Sequence, residues 1–144
     1  MQKTVIFDID NTILFHTNRS PFDWRDLSGD KPIPSMIELM AILQDAGYYI
    51  VLSTGRPERV RPQTEDWLLK NNACYNKLYL NEVPKGKTVE HKERVLTSIR
   101  NNGYEVSIVF EDDARCAAMY IANGVLVLSP LNYQVIRKTD PLTT

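Results

Sequence analysis

Apolar residues in this chain fall into two kinds of segment. Unbroken runs such as Val5-Ile6-Phe7, Tyr48-Tyr49-Ile50-Val51-Leu52 and Ile108-Val109-Phe110 are too short for helices and have the composition of strands buried on both faces. Between them lie stretches with helical spacing, clearest between Thr88 and Arg100, where Val89, Val95, Leu96 and Ile99 recur on one side. This reading predicts strands near 3–8, 48–53, 77–80, 106–110 and 125–128, and helices near 34–46, 63–71, 88–101 and 114–122. Strands that alternate with helices predict an α/β domain built on a doubly wound, mainly parallel sheet of about five strands. The punctuation agrees: Pro34 and Ser35 suit a helix start, and Gly47 and Gly103 suit helix ends.

Three of these strands run straight into polar clusters. The first ends in Asp8-Ile9-Asp10-Asn11-Thr12, the second in Thr54-Gly55-Arg56, and the fourth in Glu111-Asp112-Asp113. Carboxylates at the end of a buried strand lose solvation, and only a cation or hydrogen-bond donors offset that cost. The cation expected is Mg²⁺. At the second cluster the Thr54 hydroxyl and neighbouring backbone N–H groups suit phosphate oxygens, Gly55 permits close approach, and Arg56 adds a forked contact. Lys92 shares the inward stripe of its helix, since positions 89, 92, 96 and 99 are spaced by three, four and three. A lysine there either snorkels outward or neutralises something anionic. In a doubly wound sheet the carboxyl ends of strands near the switch point share one crevice, so these distant clusters can converge.

The D-x-D-x-T run, the strand ending in Thr54, the helical Lys92 and the acidic strand end resemble, in order, the four signatures of the haloacid dehalogenase superfamily of phosphotransferases. The resemblance spans Val5 to Asp113 and implies a Rossmann-like fold, Mg²⁺ dependence and covalent catalysis. By it, Asp8 is the nucleophile that forms an aspartyl-phosphate, and Asp10 the general acid and base. Thr54 and Lys92 hold the phosphate, and the metal is bound by Asp8, the carbonyl of Asp10 and one acid of the third cluster. The family's acidic pair aligns with Asp112-Asp113 or with Glu111-Asp112. Asp112 belongs to both, and is expected as the ligand. Thr12, Glu111 and Asp113 are expected to support the ligands from behind. An acid at the position of Asp10 is typical of the superfamily's phosphatases.

Only 43 positions separate Asp10 from Ser53, and 35 separate Gly55 from Glu90, which leaves little room for a cap domain. A capless site admits the end of a macromolecule. Within the first interval, Arg19-Ser20-Pro21-Phe22-Asp23 resembles the R-x-P-[FY]-D segment of the 3′-phosphatase domain of bacteriophage polynucleotide kinase and its relatives. That resemblance continues through Met36-Ile37-Glu38-Leu39, Gly47-Tyr48, the T-G-R segment and Met119-Tyr120. It implies that Arg19, Gly55 and Arg56 contact the substrate, and that the substrate is a nucleic-acid 3′ end or a nucleoside 3′-monophosphate. Relatives often carry an acid four residues before the helix lysine, where this chain has Thr88. Arg19 can instead be a loop arginine paired with Asp23 or Asp26. An alternative activity is a capless phosphatase for 5′-nucleotides or other small phosphomonoesters. A receiver-like signalling domain is the non-enzyme alternative, disfavoured because receivers place the phosphorylated acid on a middle strand of the sequence.

Composition narrows the setting more than the chemistry. At 144 residues, with 43% hydrophobic and 24% charged positions, the chain suits one domain over 1–137 with a frayed tail at 138–144. No apolar run is long enough to span a bilayer, and no signal segment precedes the first strand, so a cytoplasmic location without membrane partners is expected. Cys74 and Cys116 lack metal-type spacing. Lys85-Gly86-Lys87-Thr88 ends like a P-loop but has Asn81 where the first glycine belongs, so no kinase domain is expected in this chain. A net charge of −1 excludes the broad basic footprint of tight duplex binders. Local cations cluster at Arg56, Arg59 and Arg61 and at Lys85, Lys87, Lys92 and Arg94. Tyr75, Tyr79, Trp24 and Trp67 are read as core residues with a base-stacking option.

Overall fold

A computed structural model of the chain describes residues 1–17, 19–82 and 87–130. The P-loop-like Lys85-Gly86 and the expected tail at 138–144 lie outside the described residues. A five-stranded parallel sheet of β1 (Gln2–Phe7), β4 (Tyr49–Pro57), β5 (Lys77–Asn81), β6 (Tyr104–Phe110) and β7 (Leu126–Leu128) is ordered β5-β4-β1-β6-β7. The connecting helices are α1 (Pro34–Asp45), α2 (Arg61–Lys70), α3 (Thr88–Asn101) and α4 (Ala114–Ala122). The expected doubly wound α/β fold is what forms.

The apolar runs explain the layering. Successive side chains on a strand face opposite ways. Val5, Phe7, Ile50 and Leu52 therefore join Met36, Met40, Trp67 and Leu68 in one core, beneath α1 and α2. Ile6, Val51 and Val109 join Val95, Leu96, Ile99 and Tyr120 in the other, beneath α3 and α4. Removing a side chain such as fully buried Leu52 would cost about 2–5 kcal/mol.

Chain order reverses at β1. After β1 the chain winds outward through β4 and β5, then α3 returns it to the other side of β1 for β6 and β7. The carboxyl ends of β1, β4 and β6 thus meet at one crevice. Two backbone bonds extend the ladders past the strand ends, Asp8 N–H to the Phe110 carbonyl at 2.9 Å and Glu111 N–H to the Leu128 carbonyl at 3.0 Å. These set the first and third acidic clusters side by side.

Two features differ from the sequence reading. The strand expected to stop at residue 53 continues to Pro57, with a shift of register against β5 between Ser53 and Pro57. Thr54-Gly55-Arg56 is an irregular stretch inside β4 rather than a turn after it, because the chain keeps pairing beyond it. In the capless first interval, β2 (Leu14–Phe15) pairs antiparallel with β3 (Lys31–Pro32), so the described positions between them, 16–17 and 19–30, form a small flap at the crevice. Two-residue strands leave no periodicity to read.

Candidate active site

Asp8 leaves β1 at the middle of the sheet, and the chain then turns tightly through positive-φ Asn11, with Ile13 N–H bonded to the Ile9 carbonyl at 2.9 Å. Asparagine tolerates that left-handed conformation better than most residues. Lys92, on the second turn of α3, is 2% exposed and reaches Asp8 Oδ1 at 2.9 Å and Glu111 Oε1 at 2.5 Å. It neutralises rather than snorkels. Thr12 donates weakly toward Asp8 Oδ2 at 3.3 Å or Asp112 Oδ1 at 3.4 Å.

Asp8, Glu111 and Asp112 present carboxylate oxygens all within 4.8 Å of one another. Burial pushes Glu111 up to about 8, helped by the charge of Asp8. Burial likewise pushes Asp112 up to about 9, helped by its hydrogen bond to Asp8. Burial acts to raise Asp8 as well, but the Lys92 charge and hydrogen bonds from its neighbours outweigh it and hold Asp8 low. Three acids crowd one lysine, and the upward shifts of Glu111 and Asp112 mean that ionising all three there calls for a further positive charge. A hard divalent cation with oxygen preference fits this donor set.

The third cluster divides its labour. Glu111 is buried and bonded to Lys92, and also accepts from Asp113 N–H at 3.2 Å. Asp113 caps α4, accepting from the Arg115 and Cys116 amides at 2.8 and 3.3 Å. The geometry therefore joins Asp112 to Glu111 at the acid centre and gives Asp113 to the helix.

A second group of charges stands behind Asp10. Arg56 donates from Nε to Asp10 Oδ2 at 3.0 Å and from Nη2 to Asp10 Oδ1 at 2.8 Å. The same guanidinium reaches Asp30 Oδ2 at 3.0 Å and Thr64 Oγ1 at 3.1 Å. Arg19 forks onto Asp30, both contacts 2.9 Å, and lies 3.6 Å from Asp10 Oδ1. Its expected partners Asp23 and Asp26 play smaller parts: the Asp23 carbonyl accepts from Arg19, and Asp26 caps the turn at Ser28. Trp24 covers the pair, with guanidinium carbons 4.9 Å (Arg19) and 5.3 Å (Arg56) from its ring centre. It is a cation–π roof, whereas Trp67 lies in the core beneath α1 and α2 with Tyr75 packed against that core, and Tyr79 packs against the core on the other face.

Arg19 and Arg56 were expected at the substrate's phosphates. In the structure both guanidiniums pair with carboxylates, Arg56 with Asp10 and Asp30 and Arg19 with Asp30. Thr54 has no exposed surface, and its hydroxyl accepts from the Arg56 amide at 3.1 Å. Gly55 lines a cavity of about 190 Å³ at the strand ends, shared with Asp8, Asp10, Lys92 and Asp112. A Cβ at Gly55 would come within 2.9 Å of the Thr88 methyl, so a glycine here lets β4 pass close to the start of α3.

Asp30 and His16 escaped the sequence reading. His16 bridges the acids, with Nδ1 3.2 Å from Asp30 Oδ1 and Nε2 3.3 Å from Asp10 Oδ1. The hydrogen bonds from His16 and Arg19 outweigh burial and hold Asp30 down at about 2. Nothing in a polar loop distinguishes Asp30 from Asp23 or Asp26, and a lone histidine carries no spacing signal.

The family described as the polynucleotide kinase PNKP phosphatase domain matches residues 2–130, covering all three strand-end clusters and Lys92. The chain belongs to that family. Two solved structures resemble the phosphatase domain closely in fold. One, described as the Pnkp1/Rnl/Hen1 complex, has a TM-score of 0.83 at 21% identity over 90% of this chain and 45% of that one. The other, the Pnkp1/Rnl/Hen1 RNA repair complex, has a TM-score of 0.82 at 21% identity over 89% of this chain and 42% of the other. A hypothetical protein from Xanthomonas campestris gives 0.55 at 19% identity, over 91% of this chain and 65% of its own. The phosphatase domain thus spans less than half of the Pnkp1 chains it matches. No curated protein matches it in sequence. Among the described residues, no helix is long and apolar enough to cross a membrane.

Proposed function

We propose that this domain is a Mg²⁺-dependent phosphomonoesterase that removes 3′-phosphates from nucleic-acid ends or from nucleoside 3′-monophosphates. The observation that carries the reading is the division of the two aspartates, one against a lysine and an acidic metal-type cluster, the other in an arginine fork. Asp8 is kept ionised beside Lys92 and suited to attack. Asp10 is clamped where it can exchange protons without joining the acid cluster. The match of residues 2–130 to a polynucleotide kinase phosphatase family supports the substrate class.

In the first half-reaction an Asp8 oxygen attacks phosphorus, the ester P–O bond breaks, and Asp10 gives the leaving alkoxide its proton. Splitting the hydrolysis through an aspartyl-phosphate replaces one hard step by two easier ones. In the second, Asp10 takes a proton from water, the water oxygen bonds to phosphorus, and the Asp8–phosphorus bond breaks to release phosphate. A proton carrier in that role is worth roughly 10² to 10⁴ in rate. Asp8, Asp112 and the Asp10 carbonyl would hold Mg²⁺, which when bound neutralises phosphate oxygens as charge shifts among them. Lys92 shares that neutralisation and keeps Asp8 fixed.

Phosphate release from matched oligonucleotides and mononucleotides bearing a 3′- or a 5′-phosphate, with and without Mg²⁺, tests the reading. Mg²⁺-dependent preference for 3′-phosphate supports it. Equal or 5′-preferring hydrolysis moves the protein to the nucleotidase alternative, and release unaffected by chelator removes the metal from the mechanism.

A further inference from the structure

The catalytic pocket, at about 190 Å³, is smaller than the roughly 300–1,000 Å³ of sites that enclose drug-sized molecules. A volume of that size is too small to enclose a whole nucleotide. Beside it opens a larger groove of about 660 Å³, and Phe22 and Trp24 line both cavities. A substrate anchored by its phosphate at Asp8 has this groove as its continuation.

Phe22 is 86% exposed, the one exposed aromatic side chain among the described residues. Its neighbour Trp24 is turned inward onto Arg19 and Arg56, so Phe22 keeps an unshared ring face at the mouth. Arg59 and Gln63 line the same groove, and the exposed Arg59 side chain makes no hydrogen bond or ion pair with the described residues. Arg25 is less available, since it forks onto Asp23 at 2.9 and 2.7 Å.

Resting on the 3′-phosphatase reading, we propose that this groove binds the end of a single strand: Phe22 stacks on the unpaired 3′-terminal base, and Arg59 meets the next phosphate. Stacking on an aromatic ring tolerates every base because each has a π-face. The chain's net charge of −1 favours this mode over backbone attraction, which requires many cations. A flat ring and one free guanidinium match a base followed by a phosphate better than a phosphopeptide, whose side chains offer no repeated stacking surface.

The test compares phosphate release by the full chain from two single-stranded oligonucleotides with a 3′-phosphate, one with an ordinary terminal base and one with that position abasic. The wild-type protein is expected to favour the base-bearing substrate in kcat/KM by roughly 5- to 100-fold. Phe22→Ala should bring the ratio close to one, and Phe22→Trp should restore it. Arg59→Glu should raise KM more for the oligonucleotide than for a nucleoside 3′-monophosphate, which lacks a second phosphate. A wild-type protein that hydrolyses both oligonucleotides equally, or a ratio unchanged in Phe22→Ala, overturns the stacking proposal while leaving the 3′-phosphatase reading in place. Release from p-nitrophenyl phosphate but from neither the oligonucleotides nor a nucleoside 3′-monophosphate removes that reading and the proposal with it, whereas release from the mononucleotide alone overturns only the proposal.

Discussion

Arg56 grips Asp10 at two points, 3.0 and 2.8 Å, and has almost no surface open to solvent. A planar fork fixes a carboxylate in direction as well as distance, which a lysine cannot do. Arg56→Lys is therefore expected to lower kcat by about 10²-fold with a smaller change in KM, as a misdirected proton carrier would. Rates across leaving groups of rising pKa check this, since the loss should grow as the leaving alkoxide becomes harder to protonate.

Asp10→Asn separates the two half-reactions. p-Nitrophenolate leaves without a proton, so the first step should survive while the second, which needs a base, slows by roughly 10² to 10⁴. Rapid mixing should show a burst of p-nitrophenol equal to the enzyme present, followed by slow turnover. Asp8→Asn should show neither burst nor turnover; a burst of normal size in that variant excludes Asp8 as nucleophile.

Lys92 lies between two buried acids, and burial alone would lower its proton affinity; the charges of Asp8 and Glu111 reverse that and raise it. Lys92→Met leaves those acids without their cation, a change expected to cost about 3–5 kcal/mol. Thermal melts should show the loss, and added Mg²⁺ should raise Tm more in this variant than in the wild type. Asp112→Asn should shrink the Mg²⁺-dependent rise in both backgrounds.

The acid Asp30 ties the flap to Arg56. Because its folded pKa is lowered to about 2, its contribution is present above the unfolded value of 3.8 and is lost as pH falls through about 2. The Tm gap between the wild type and Asp30→Asn should be widest near neutral pH and close as pH approaches 2. A gap that stays constant over that range would show that the ionised carboxylate is not what holds the flap.

Gly55 faces Thr88 across the crevice. Gly55→Ala brings its new Cβ to 2.9 Å from the Thr88 methyl and 3.1 Å from its hydroxyl, an overpacking expected to cost about 1–3 kcal/mol. Thr88→Ala removes both atoms, so the double variant should recover most of the loss. Denaturant midpoints for the four proteins of that cycle check the coupling.

Much of this architecture was legible because burial leaves a local trace. Strands covered on both faces read as unbroken apolar runs, and Lys92 announced itself by standing in an apolar stripe of α3. The flap was not legible: β2 and β3 are two residues each, and their pairing spans a polar interval with no period. The direction of Arg56 was hidden for another reason. A strand-end arginine near a phosphatase signature reads as a substrate contact, and that Asp10 and Asp30 lie against its guanidinium shows only in the folded chain.

From the amino-acid order alone came the α/β alternation, the set of charged residues brought to the sheet's carboxyl edge, and the family they resemble, because hydrophobic period and motif spacing are local quantities. Tertiary structure alone decided which charge answers which. Pairing across the sheet put Glu111 rather than Asp113 against Lys92, and the flap carried Asp30 and Trp24 to Arg56, and Arg19 and His16 to Asp10. Electrostatic and stacking contacts act over a few ångströms between groups tens of positions apart, and that nearness exists only after the chain has folded.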